Sequence, residues 1–209
     1  MKDFLENKVA EKLENVPEER ITTPPPNVAG PAIEALKFAG QDETLQDMFA
    51  NLIANSLDSK TALEAHPSFV DIIKSLSPDE GLILKLFGSA QQFPLVDIKL
   101  VNKTGNGFHI INRNVSLIGV TACCKHQGLT PNYLDNLCRL GILEIPSNRK
   151  INDSKPYDAI TNEPSVKQLK QQFDGNEIHN IGFDYKMITV TGIGRQFISA
   201  CIVDKRAKS

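Results

Sequence analysis

The residues best suited to chemistry stand together at Cys123-Cys124-Lys125-His126. Two thiolates and an imidazole can bind zinc, which takes four ligands at paired spacing. Completing such a set needs Cys138 and Cys201, and both fall on apolar faces of expected helices. The competing reading is small buried cysteines beside a surface histidine, and no metal or other cofactor is assigned. Gly105-Asn106-Gly107 and Gly192-Ile193-Gly194 lack the strand, glycine loop and Lys-Ser/Thr order that cradles phosphate. They read as a hairpin turn and a helix start. His66, ahead of Pro67, suits a helix cap, while His109 and His179 have no acidic or cysteine partner nearby in sequence. Nuclease chemistry needs clustered carboxylates for metal ions. Asp42, Glu43 and Asp47 are grouped, but one turn of acids also complements a helix N-terminus. No catalytic residue is assigned.

A second group suits recognition. The spacing predicts a helix over 130–140 whose polar positions are Asn132, Asp135, Asn136 and Arg139. Asn can pair with adenine edges and Arg with guanine. One cation and one carboxylate on that helix match a polyanion poorly. Basic residues surround it instead, Lys125 and His126 before and Arg149, Lys150 and Lys155 after. The candidate nucleic-acid or partner-binding residues are therefore Lys125, Asn132, Asn136, Arg149, Lys150 and Lys155. Arg139, beside the helix end, also suits carbonyl capping.

These residues must be positioned by a core of Leu, Ile, Val and Ala. Among 209 residues, 41% are apolar, 6% are aromatic and none is Trp. Four cysteines without framework spacing point to a reducing, cytoplasmic setting. The start, Met1-Lys2-Asp3-Phe4-Leu5-Glu6, has no apolar signal core. No stretch approaches the roughly 20 apolar residues of a membrane span. The net charge of −2 is uneven, −6 over 1–76 and +4 over 77–209. That asymmetry permits an anionic partner for the second part, or simple docking of the two parts.

Helical spacing is expected over 4–15 (Phe4, Leu5, Val9, the Lys12 stem, Leu13), then a stiff proline spacer at 22–27. Helices follow over 28–39 with Gly40 as C-cap, over 43–57 on Leu45, Met48, Phe49, Leu52, Ile53 and Leu57, and on Phe69, Ile72, Ile73 and Leu76. Ser77-Pro78-Asp79-Glu80 spells a capping box opening a helix to about Ala90. Strand periodicity appears at 96–100 and 108–111, a short helix at 119–126, and strand character at 142–145 and 185–190. A polar loop is expected over 146–162, a helix over 165–173, and a last helix capped by Thr191.

The order from Ser77 resembles the winged-helix pattern. A recognition-type helix ends Leu137-Cys138-Arg139-Leu140-Gly141-Ile142-Leu143, and two wing strands lead to a threonine-capped helix with a buried aromatic, Phe197. Gly141 would leave the helix left-handed. The excursion 146–184 is longer than a simple wing. The expected fold is mainly α with small β content (α+β), with an N-terminal helical region, 1–76, and a winged-helix-like region, 77–209.

Several phrases together resemble the prokaryotic abortive-infection alpha family. They are Pro24-Pro25-Pro26-Asn27-Val28-Ala29-Gly30-Pro31-Ala32-Ile33-Glu34-Ala35-Leu36, Met48-Phe49-Ala50-Asn51-Leu52-Ile53-Ala54 and Ala65-His66-Pro67-Ser68-Phe69-Val70-Asp71-Ile72-Ile73. Ser77-Pro78-Asp79-Glu80, Tyr133-Leu134-Asp135-Asn136-Leu137-Cys138-Arg139-Leu140-Gly141 and the 191–201 helix extend the match over about 8–203. The resemblance implies a bacterial or phage-encoded protein acting in phage resistance by limiting infected cells. It transfers no catalytic residues. It also implies a segment upstream of this start in many members, hence a short member or a trimmed chain.

The expected function is a non-enzymatic defence component that binds a host or phage protein, or nucleic acid, through its winged-helix-like part. The alternatives are a DNA-binding transcriptional regulator and an unrecognised nuclease or toxin. Homo-oligomer contact through residues 1–15 is a further expectation.

Overall fold

Several helix starts fall where a side chain satisfies a free backbone N–H. Ser77 Oγ accepts from Glu80 N, and the Glu80 carboxylate accepts from Ser77 N at 2.6 Å, so the expected capping box is formed. Thr191 Oγ1 accepts from Gly194 N at 2.9 Å. The His66 ring caps the next helix by accepting from Ser68 N. The computed structural model describes residues 2–36, 42–104, 107–173 and 175–204. The expected Gly40 cap and most of the Gly105-Asn106-Gly107 turn lie outside the described residues.

The elements are α1 (Lys2–Leu13), α2 (Pro26–Leu36), α3 (Glu43–Ser56), α4 (Ser68–Lys74), α5 (Pro78–Phe87), β1 (Gln92–Asn102), β2 (Phe108–Val115), α6 (Ile118–Thr121), α7 (Thr130–Arg139), β3 (Leu143–Glu144), α8 (Lys155–Thr161), α9 (Pro164–Gln172), β4 (His179–Val190) and α10 (Gly192–Phe197). A π-helical turn, Ile198–Ile202, continues α10. The fold is mixed α+β, with one antiparallel sheet in the order β2-β1-β4-β3. Among the described residues, no helix is long and apolar enough to cross a membrane.

The chain forms two compact units, 1–89 with 191–209 and 90–190. A division at 76/77 is expected from the sequence, but α5 and the terminal helix both belong to the helical unit. The reason lies on α3. Met48, Phe49, Leu52 and Ile53 of its expected apolar stripe are buried, with Leu45 and Leu57 half-buried, and so is the side bearing Asn51 and Asn55. Asn51 Nδ2 donates to Cys201 O at 3.0 Å, and Asn55 Nδ2 donates to Ala200 O at 2.9 Å. These amides satisfy carbonyls of the π turn, which is wider than an α-helix. Phe197, the expected buried aromatic, meets Phe69 edge-on at 5.2 Å.

In the sheet unit, β1 lies between β2 and β4 and pairs with β4 along its whole length. The strands are longer than the expected stretches at 96–100 and 185–190. The face bearing Val96 and Phe183 is covered by α8 through Tyr157 and Ile160. That helix sits inside the stretch expected to be a polar loop. Tyr157 Oη donates to Lys186 O and accepts from Ile151 N, both at 2.8 Å, so the excursion is fastened to the sheet. Burial raises the Tyr157 pKa above its ordinary value, outweighing the lowering effect of the Ile151 N–H.

Candidate partner-binding surface

The site region begins at the turn from α6 to α7. A Cβ placed on Gly119 would come within 1.9 Å of Thr130 Oγ1, so only glycine lets α6 pack this closely against the start of α7. At the other end of α7, Gly141 has φ +75°. Ile142 N donates to Leu137 O, and Gly141 N to Cys138 O. This is a Schellman-type stop. Leu143 and Glu144 then pair with Val190 and Thr189.

Leu134 and Leu137 bury one side of α7, leaving Asn132, Asp135 and Arg139 exposed. Arg139 does not cap carbonyls. Its guanidinium donates to Asn136 Oδ1 at 2.7 and 3.0 Å, which occupies the oxygen Asn136 would use on an adenine edge. Asp135 accepts from Asn114 Nδ2 at 3.1 Å, tying α7 to β2. Asn114 has φ +53° at an irregularity in the β1–β2 register. Its Oδ1 in turn accepts from Lys186 Nζ at 2.8 Å.

The basic candidates are exposed but dispersed. Lys125 stands between α6 and α7, and Arg149 and Lys150 lie in the loop after β3. Lys155 opens α8, which covers the Val96 face, whereas Asp135 ties α7 to the Asp97–Lys186 side. Lys155 therefore belongs to a helix on the opposite sheet face from Asn132 and Asn136. The whole sheet unit has 11 Lys/Arg and 9 Asp/Glu, a formal +2, less than the asymmetry expected from a cut at 76/77.

Two apolar side chains at the same corner carry no signal in helical periodicity. Val120 is 50% exposed at the end of α6, and Leu129 is 48% exposed immediately before α7. The sheet also brings together two histidines that have no partner nearby in sequence. His109 stands opposite Leu100 and His179 opposite Asn102, and both line a cavity of about 320 Å³ with Phe108. Among the described residues, no group of three or more His, Cys, Asp or Glu side chains could hold a metal ion. Asp42 caps α3 by accepting from Leu45 N, and Asp47 pairs with Lys8.

The cysteines divide by environment. Cys124 and Cys201 are buried, Cys123 is exposed, and Cys138 is half-buried. Burial first, then Asp135 and Glu144, push the Cys138 thiol up from 9.0 to about 11. The fold thus favours its neutral form. The associated stability is complete below the unfolded pKa and is lost as pH rises towards 11. Iodoacetamide at about pH 8 should alkylate Cys123 in the native protein and spare Cys138, because the thiolate is the nucleophile. Peptide mass spectrometry checks this; equal labelling of the two would show that Cys138 is not shielded.

Comparison with known proteins adds three findings. No curated protein matches the chain. Among solved structures, an uncharacterised protein of the hydrocarbon-degrading marine bacterium Alcanivorax borkumensis SK2 is similar at 14% identity with a TM-score of 0.43, over 69% of this chain and 96% of that one. The family model for abortive infection alpha matches residues 1–201. With nearly its whole length matched, the chain belongs to the abortive infection alpha family.

Proposed function

We propose that the protein serves abortive infection as a non-enzymatic binding component, engaging a protein partner through the α6–α7 corner of a winged-helix-like sheet unit. The observation that carries this is the pair of exposed apolar side chains, Val120 and Leu129, beside the open Asn132–Asp135–Arg139 side of α7. Apolar anchors ringed by polar groups suit protein contacts. A +2 unit with Arg139 folded onto Asn136 suits a polyanion less well. The left-handed Gly141 stop and the β3–β4 pair support the winged-helix reading, with α8 and α9 inserted between the two wing strands. Nucleic acid is the second reading, favoured by exposed Lys125, Arg149 and Lys150.

Affinity capture from host and phage-infected lysates tests the choice. The wild type should retain a protein that Val120→Glu/Leu129→Glu loses by at least about tenfold, the scale of a lost hot spot. Lys125→Glu/Arg149→Glu/Lys150→Glu should retain it. Capture unaffected by the first pair, or duplex DNA binding at low salt abolished by the triple change, would overturn the proposal.

A further inference from the structure

The helical unit contains a cavity of about 560 Å³ lined by residues from α1, the turn after it, the segment after α3, and the π turn. That volume lies in the range of small-molecule sites, roughly 300–1,000 Å³. Its charged lining is Lys12, Arg20 and Lys60 against Asp58 and Glu64. The carboxylates are already engaged. Asp58 is fully buried under the Arg20 fork, and Glu64 accepts from Ser199 Oγ at 3.1 Å.

The cations have capacity left. Arg20 spends Nε and Nη2 on Asp58, which fixes its plane and leaves Nη1 without a partner among the described residues. Lys12 is only 6% exposed, and its three-proton ammonium meets Asp204 Oδ2 at 3.1 Å, its one polar partner among the described residues. A buried ammonium with one partner is under-satisfied. The Lys60 main chain donates to Asp58 Oδ1 at 3.0 Å, placing this exposed lysine at the cavity with its side chain unpaired among the described residues. Val16 and Pro17 supply an apolar wall.

We infer that this cavity binds a small phosphorylated molecule, its phosphate between Lys12, Arg20 and Lys60 and its organic part against Val16 and Pro17. A tetrahedral group with several charged oxygens can meet donors from three directions, whereas a planar carboxylate serves one fork. The site lies wholly in the helical unit and stands or falls independently of the α6–α7 surface.

The test titrates the full chain with inorganic phosphate and pyrophosphate at constant ionic strength, by calorimetry and thermal melting, with chloride and citrate as comparators. Pyrophosphate should bind saturably and raise the Tm. Lys60→Glu should weaken binding by at least about tenfold while leaving the ligand-free Tm unchanged, since the lost contact is charge-assisted. Lys167→Glu, on the sheet unit, should bind as the wild type does. Lys12→Met should also lose binding; because it removes the Asp204 pair as well, Lys60→Glu decides. Stabilisation no greater than that by chloride, wild-type affinity in Lys60→Glu, or tighter binding of citrate than of pyrophosphate would each overturn the inference.

Discussion

Lys186→Met should destabilise the sheet unit by about 3 kcal/mol, near the lower end for breaking a buried ion pair, because Lys186 remains partly exposed. Asp97 is 4% exposed in the central strand. Lys186 Nζ lies 2.7 Å from its carboxylate, which also accepts from Asn114 N at 2.9 Å. Directly across the β1–β4 ladder stands Asp184. Like charges in that position repel. The sheet manages them with two lysines, Lys186 on Asp97 and Lys99 on Asp184 at 3.0 Å. Methionine would leave Asp97 buried, facing a second carboxylate, and would also remove the donor to Asn114 Oδ1. Asp97→Asn/Lys186→Met should recover much of the loss, since no uncompensated charge remains. Urea unfolding followed by tyrosine fluorescence isolates the effect: there is no Trp, and Tyr133, Tyr157 and Tyr185 all belong to the sheet unit. A cost under about 1 kcal/mol would mean that water or Lys99 neutralises Asp97 and that the pair is incidental.

That network also shows where sequence reading stops. Local signals were legible because their physics is local. Ser77 and Thr191 cap, Gly141 turns left-handed, and α3 follows its apolar spacing. Asp97 and Lys99 read as ordinary strand alternation and Asp184 falls in the expected excursion, since their pairing depends on a register set more than eighty residues apart. Helix α8 was hidden because a seven-residue helix with Tyr157 and Ile160 inward has too little periodicity to stand out. The unit boundary was hidden for a related reason. Asn51 and Asn55 look like polar breaks in a helix, yet they bond carbonyls 150 and 145 positions away. The phrase containing Asn51 is one of those that mark the family, and its role here is to hold the terminal helix. At the candidate surface, polarity and exposure were readable for Asn132, Lys125, Arg149 and Lys150, but grouping was not. Lys155 lies on a helix at the other sheet face, and the exposed Val120 and Leu129 carry no local signal because periodicity does not report which apolar residues stay uncovered.

Arg20→Met should cost the helical unit about 3–5 kcal/mol, the range for stranding a fully buried charge. Asp58 is 0% exposed and follows the Leu57 cap of α3. One carboxylate oxygen accepts from Arg20 Nε and Lys60 N, each at 3.0 Å; the other accepts from Arg20 Nη2. Around this fork the chain pairs with itself. Ile21 bridges Asp58, Thr22 N donates to Leu57 O, and Ser59 N donates to Arg20 O. The pair therefore fastens the segment that enters the proline run to the end of the central helix. Methionine fills similar space but supplies no donor, so the carboxylate must be protonated or the junction must open to water. Arg20→Met/Asp58→Asn separates these costs: if the stranded charge dominates, the double change is milder than Arg20→Met alone. Far-UV circular dichroism follows the helical unit, which contains no tyrosine. The wild-type pair should change little between low and moderate salt, because buried charges are poorly screened. If Arg20→Met melts within about 1 kcal/mol of the wild type, or if salt erases the difference, the junction is held by its backbone bonds and the ion pair only decorates it.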